Sequence, residues 1–434
     1  MSIAVRTRAS LLLTAACALG VLSASPASAA PGELDRTFGD HGKVITNFSR
    51  GNDGANDVAI QANGKIVAVG RASTRNYYGK FAVARYRTNG HLDPEFGGDG
   101  LVTTNFAKRQ DAASAVAIQA DGGIVVAGSG SLTTRDGYVA LARYNADGTL
   151  DGSFGDGGLI RANPTTGDDY ASDVTIQADG QIVVAGTIGA GKFAVLRFDP
   201  DGTPDATFSG DGVVKTDIAP GYDYASAVAI DAGGNIVVAG TSGDGSFAAV
   251  RYTSDGTLDT TFDGDGVVTT DLTEGYDSAN SVAIDADGNV LLAGEAGFCC
   301  EYTGSFGLVR YETDGTPDPT FGGGDGIVIT NFTRTDDSAR DLAIQANGKI
   351  VAVGTEGFNG AHSRFALARY TSDGVLDPTF GDGGRVVTAF SKGFDSASSV
   401  AIQSDGKIVA AGTTYPDPDG LNGLFALARY GGAG

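Results

Sequence analysis

The sequence predicts an all-β fold, a seven-bladed β-propeller of four-stranded antiparallel blades. Three observations carry that prediction. A marker of Asp followed three residues later by Phe recurs seven times, at Asp35–Phe38, Asp93–Phe96, Asp151–Phe154, Asp205–Phe208, Asp259–Phe262, Asp318–Phe321 and Asp377–Phe380, spaced 54 to 59 residues apart. Fixed-period self-similarity of this kind marks a repeat architecture. Each unit also holds four short apolar runs, and a Gly-containing pair separates the second from the third.

In the first unit the runs are "KVITNF" (43–48), "DVAIQ" (57–61), "KIVAVG" (65–70) and "FAVARY" (81–86). They are rich in Val, Ile and Phe and bounded by Gly, Asp and Asn, the pattern of strands. The pair is Asn63-Gly64 in the first unit and Asp121-Gly122, Asp179-Gly180, Gly233-Gly234, Asp287-Gly288, Asn347-Gly348 and Asp405-Gly406 in the others. Read as two-residue type I′ loops, these make every second and third run a β-hairpin. The third run ("IVAV", "IVVA") is apolar throughout, so both of its faces should be covered, as between the stacked blades of a propeller.

Strand order predicts the closure. The chain opens on one strand of the first type (43–48) and ends on one of the fourth type, "FALARY" (425–430). If a blade runs hairpin, "FALARY", then "VVTT", the opening strand is left over and the last blade lacks its outer strand. Pairing the two closes the ring and removes open edges.

Gly accounts for 67 of 434 residues, about twice the usual share, and lies within apolar patterning as expected for turns in a folded β protein. Residues 1–30 differ: Arg6 and Arg8 precede the apolar "LLLTAACALGVL" (11–22) and "SPASAA" (25–30). That is the pattern of a secretory signal peptide, leaving 31–434 as a single propeller. A lipoprotein reading with Cys17 acylated is opposed by Thr14, where a branched apolar residue is expected. Removing the segment takes away two arginines and no acids, moving the formal charge from −22 to −24. Together with the absence of another long apolar run, this predicts a secreted or cell-surface protein with no membrane span. A surface so acidic disfavours nucleic acid.

The repeated motif "VVTT…DxAxxVAIQxDGKIVVAG…FALARYxxDGxLDxxFGxDG" resembles the delta-60 repeat over residues 34–430. That bacterial family is assigned to β-propellers, and its biochemical role is not established. The resemblance implies the propeller and an extracytoplasmic setting; it implies no catalytic residues.

Three positions recur in all seven units. One is an Asp entering the second run (Asp53, Asp111, Asp169, Asp223, Asp277, Asp337, Asp395). Another is the Arg of "FALARY" (Arg85, Arg143, Arg197, Arg251, Arg310, Arg369, Arg429), and the third is the Asp of the marker. Seven copies could ring a cation-binding mouth. Identity in every unit instead favours a scaffold role, in which carboxylates satisfy turn N–H groups and pair a half-buried guanidinium.

Catalytic and metal patterns are thin. His41, His91 and His362 are isolated, and no HExxH, G-x-S-x-G, P-loop or Cys/His metal spacing occurs. The acidic turns "GGDGL" (97–101), "DGDGV" (263–267) and "GGGDGI" (322–327) lack the further oxygen ligands of a calcium loop. No cofactor is therefore assigned, with structural calcium as the alternative. Cys299 and Cys300 are adjacent, so only a vicinal disulfide is open to them within the chain.

The connection between third and fourth runs is short in two units, "TIGAGK" (187–192) and "TSGDGS" (241–246), and longer and individual elsewhere. These loops should share one face with the leads into the innermost strands. Tyr77, Tyr78, Phe298, Tyr302, Phe358 and Tyr415 place aromatic surface there, making them candidate ligand contacts. The function this predicts is non-enzymatic binding of an extracellular protein or glycan. The alternatives are a polysaccharide hydrolase or lyase using loop carboxylates, and a purely structural envelope protein. Ligand identity and oligomeric state are not encoded in these patterns.

Overall fold

The computed structural model describes residues 29–49, 51–73, 79–106, 110–133, 136–298, 304–333, 335–358, 362–416 and 422–432. Cys299, Cys300, Tyr77, Tyr78, Tyr302 and residues 1–28, most of the segment 1–30 expected to be a signal peptide, lie outside the described residues.

The chain forms β1 (Lys43–Thr46) and then blade 1, made of β2 (Asp53–Ile60), β3 (Ile66–Ser73), β4 (Gly79–Tyr86) and β5 (Leu101–Thr104). The same unit recurs as β6–β9 (112–162), β10–β13 (170–216), β14–β17 (224–270), β18–β21 (276–330) and β22–β25 (336–388). Blade 7 is β26 (Phe394–Ile402), β27 (Ile408–Tyr415) and β28 (Leu424–Tyr430), completed by β1. Thus β1 is the outer strand of the last blade. It pairs antiparallel with β28, Val44 opposite Leu427 and Thr46 opposite Phe425. The first strand of each blade packs against the first strand of the next, and β26 meets β2, so these seven line the axis.

Each hairpin forms where expected, but its turn is of a different type. Gly64 has a φ of 79°, whereas Asn63 is not among the residues with positive φ. Gly64 N–H donates to Gln61 O at 2.8 Å and Gln61 N–H to Lys65 O at 2.9 Å. This is a three-residue loop: a type I turn followed by a left-handed Gly. The Asn63 side chain sets it by accepting the Lys65 N–H at 3.0 Å, which leaves only the second residue of the pair needing a left-handed backbone.

Apolar packing lies between blades. One cluster joins Val67, Phe81 and Val83 of blade 1 to Val126, Ala140 and Tyr144 of blade 2. Across the closure, Ile66, Ala82 and Tyr86 pack with Val409, Phe425 and Leu427. The Tyr that ends the third strand of a blade also reaches back to the previous blade's outer strand. Tyr86 donates to Thr46 at 2.8 Å and Tyr144 to Thr104 at 2.7 Å; Tyr252 and Thr216 lie 2.6 Å apart, and Tyr430 donates to Thr388 at 2.8 Å. Blade 3 breaks the pattern on both sides at once, with Phe198 for Tyr and Ala162 for Thr. Exchanging both partners for apolar groups leaves no buried hydroxyl unpaired, so the loss costs little.

Every first strand carries a β-bulge, between Ala55 and Asp57 in blade 1 and at the matching place in the other six. Opposite it stands the Gly of "VAG". A methyl group on Gly70 would lie 2.0 Å from Gly54 O, and one on Gly240 1.9 Å from Tyr224 O. The Gly admits the bulge, and the bulge turns the next side chain and N–H toward the axis.

Candidate ligand-binding face

The two faces of the disc use their residues differently. On one, each repeated Arg is clamped. Its Nε donates to the marker Asp at 2.6–3.0 Å, in the pairs Arg85–Asp93, Arg143–Asp151, Arg197–Asp205, Arg251–Asp259, Arg310–Asp318, Arg369–Asp377 and Arg429–Asp35. The guanidinium also lies 4.5–4.8 Å from the centroid of the marker Phe. Its Nη1 crosses to the next blade, from Arg251 to Thr313 O at 2.5 Å and from Arg369 to Gly432 O at 2.7 Å. Arg429 reaches Thr88 O across the closure. Burial alone would raise Asp377, but bonds from Thr379 and Lys349 and the Arg369 charge hold it well below the usual carboxylate range.

The Asp entering each first strand ties down the opposite face. Asp277 accepts from Leu272 N–H at 2.7 Å, Thr273 N–H at 3.1 Å and Gly297 N–H at 2.7 Å. Asp337 does the same with Phe332, Thr333 and Gly357. Its backbone N–H donates to the previous blade's loop, as in Asp223 to Gly191 O at 3.0 Å and Asp53 to Gly423 O at 2.8 Å. The connections between the second and third strands of a blade (β3 to β4 in blade 1) therefore sit beside the leads into the axial strands on one face.

Of the candidate aromatics on that face, Tyr415 is half-buried at the end of β27, opposite Phe394. The backbones of Phe298 and Phe358 pair with Tyr276 and Asp336 at the same level. The aromatic surface that stands clear of the protein is different: Tyr170, Tyr222, Tyr224 and Tyr276, 43–60% exposed, on blades 3 to 5. They flank the repeated Asp by one residue on either side. Tyr222 and Tyr276 precede Asp223 and Asp277, and Tyr170 and Tyr224 follow Asp169 and Asp223. The signal lies in "DDYAS", "YDYAS" and "GYDSA" (168–172, 222–226, 275–279), beside the constant Asp and outside the connections whose length varies. Between blades 6 and 7 the same face holds a cleft of about 600 Å³ lined by Thr333, Glu356, His362, Arg364 and Lys392. Glu356 is ion-paired with Arg364 there.

Along the axis the residue after each bulge reads Asp57, Ala115, Asp173, Ala227, Ser281, Asp341 and Ser399. Each Asp serves two inward N–H groups, its own blade's and the next blade's. Asp57 accepts from Val58 and Val116, each at 2.7 Å. Asp173 accepts from Val174 at 2.7 Å and Val228 at 2.8 Å, and Asp341 from Leu342 and Val400, each at 2.8 Å. Ala115 and Ala227 thus stand where the preceding carboxylate has already reached. Ser399 bridges Asp57 and Asp341 at 2.6 and 3.0 Å. Among the described residues no three His, Cys, Asp or Glu side chains converge to hold a metal ion. The turn acids Asp99, Asp265 and Asp325 each accept the N–H two residues on, at 2.9–3.0 Å.

Deep burial, then mutual repulsion, raises the axial carboxyls: Asp57 to about 6 and Asp173 to about 7, with Asp341 raised by burial. The folded state therefore holds protons that the unfolded chain releases near pH 4. The stability these groups contribute is present below that value and is lost as pH rises through 6 to 7. Melting temperature is expected to fall from pH 5 to pH 8, and Asp173→Ala, a residue already accommodated in blades 2 and 4, should flatten the slope. A wild-type melting profile flat over that range would contradict the assignment.

Geometry and repetition together define a seven-bladed propeller whose one face and axis carry its individual features. The chain belongs to the family described as a domain of unknown function (DUF5122) beta-propeller. The family model matches residues 61–96, 119–154, 177–208, 234–262, 286–321, 345–380 and 403–430, together more than half of the chain. No curated protein matches it. Among solved structures it is similar to a streptogramin B lyase, at 11% identity and a TM-score of 0.51, covering 89% of this chain and 97% of that one. It is also similar to the WD40 domain of Toxoplasma gondii coronin, at 9% identity and a TM-score of 0.51, covering 94% and 90%. Likeness at that level concerns the fold, which hosts unrelated functions.

Proposed function

We propose that this protein is exported and acts outside the cell as a non-catalytic binding scaffold, presenting the loop-bearing face to a protein or glycan. One observation carries the reading. The clamped face uses its repeated side chains to join blades, whereas the opposite face varies from blade to blade and holds every exposed tyrosine among the described residues. Rigid scaffolds commonly carry binding groups on such variable connections. The signal-like N-terminal segment and the acidic surface support an exported protein that avoids nucleic acid.

The hydrolase or lyase alternative has one residue in its favour. Glu295, on this face, has its carboxyl raised by burial, with Asp336 adding repulsion and Ser338 and Arg340 opposing. A polysaccharide panel separates the readings. Retention of a glycan without new reducing or unsaturated ends supports the scaffold. Product release that disappears in Glu295→Gln supports catalysis, and neither outcome would favour a structural envelope component.

A further inference from the structure

We infer that Tyr170, Tyr222, Tyr224 and Tyr276 form a preorganised shelf that binds an uncharged glycan chain by stacking. The assignment rests on the binding-face reading and names its site and ligand class.

The tyrosines occupy matching positions beside the repeated Asp on the consecutive blades 3, 4 and 5. Tyr222 and Tyr224 lie with ring centroids 6.3 Å apart and planes inclined by 18°. Tyr224 opens β14, and Tyr222 lies two residues before it in the lead into that strand. The adjoining Tyr224 phenol is close enough to raise that of Tyr276, after burial, which is the larger cause.

The preceding blade's loop supports these rings at glycine. A methyl group on Gly191 would lie 2.1 Å from Cδ1 of Tyr222, and one on Gly245 2.6 Å from Cδ2 of Tyr276. A methyl group on Gly137 would lie 3.4 Å from Cε1 of Tyr170, an ordinary van der Waals contact. Backbone therefore lies close against the Tyr222 and Tyr276 rings, limiting their rotation before any ligand arrives. Blades 3 and 4 also carry the two short connections, which leave the shelf uncovered.

A pyranose presents a face of polarised C–H bonds, which the negative face of an aromatic ring attracts. Hydroxyls at the sugar's rim would meet the Asp168, Asp244 and Glu274 side chains set in the same loops. Those carboxylates and the formal charge of −22 oppose sulfated and uronic-acid polymers. Among the described residues the exposed large aliphatics lie away from this patch, Ile45, Ile329 and Val387 on outer strands and Leu258 and Val375 in turns after the third strand of a blade, so the rings are its apolar surface.

Affinity electrophoresis through gels containing neutral polymers (mixed-linkage β-glucan, xylan, galactomannan) or anionic ones (alginate, carrageenan) tests this. The wild type should be retarded by at least one neutral polymer and by no anionic one. Tyr222→Ala/Tyr224→Ala should weaken that retardation about tenfold or more with the melting temperature unchanged. The chain has no Trp and 15 Tyr, so tyrosine emission gives a second readout of sugar titration. Neutral-polymer retardation that survives in the double variant but is lost in Tyr415→Ala would overturn the shelf and leave the binding face standing. Retardation only by anionic polymers, or by none, would overturn the ligand class, whether or not a protein is found to bind the face.

Discussion

A chain lacking residues 31–49 should fail to fold cooperatively, appearing as insoluble material or melting about 10 °C or more below the parent. The deletion removes β1 and with it the outer strand of blade 7. It strips Asp35 from Arg429, which is buried and would keep its charge without its carboxylate. Loss of one partner from a buried pair costs about 3–5 kcal/mol by itself. Fully buried Phe38 and the Thr46–Tyr86 bond go too, along with the packing of blade 7 on blade 1. Calorimetry of the soluble fraction decides it. A melt matching the parent would show that the ring does not depend on this strand.

Arg369→Ala is expected to cost about 3–5 kcal/mol, the largest effect of any single substitution among the clamps. Arg369 is the one clamp arginine with no exposed surface. It leaves Asp377 with Lys349, at 3.0 Å, as its remaining cation, and leaves the Gly432 carbonyl with only the longer bond from Gln345, at 3.3 Å. Because Asp377 is held below its ordinary range, its stabilising contribution is present above the unfolded value and is lost as pH falls through the lower folded one. The cost of Arg369→Ala should therefore be larger at pH 7 than at pH 3. Replacing both partners, Arg369→Met with Asp377→Leu, should recover much of the loss. Urea titration of the three variants at both pH values checks the series. An Arg369→Ala midpoint unchanged at pH 7 would mean the clamp contributes nothing.

The blade plan was legible because each unit restates it. Period, strand composition and the odd strand at each end led to the ring and its seam, which strand pairing reproduces. Turn type was not legible. Asn-Gly suits both a two-residue and a three-residue loop, and the choice depends on whether Asn63 itself leaves the right-handed region. The bulges were invisible for a related reason. The Gly of "VAG" reads as an ordinary strand end until its cross-strand carbonyl is seen 2.0 Å from where a Cβ would lie. The axial carboxylates were not legible because Asp57, Asp173 and Asp341 occur in only three units and so stand outside the repeated pattern. The tyrosine shelf escaped similarly, since it arises from two positions alternating across three blades. Repetition disclosed the frame, and departures from it hold the individual chemistry.

The cross-blade bonds join one edge of a blade to the opposite edge of its neighbour. Each blade sends an arginine forward and receives an aspartate N–H from the same neighbour, so its leading and trailing edges are complementary but unlike. Contacts of that kind either close on themselves or propagate without limit. A proteolytic cut that freed any one blade junction would uncover a matched pair of adhesive ends, and separate molecules could then join end to end. The covalent chain brings those ends together within one molecule, at the seam where β1 pairs with β28.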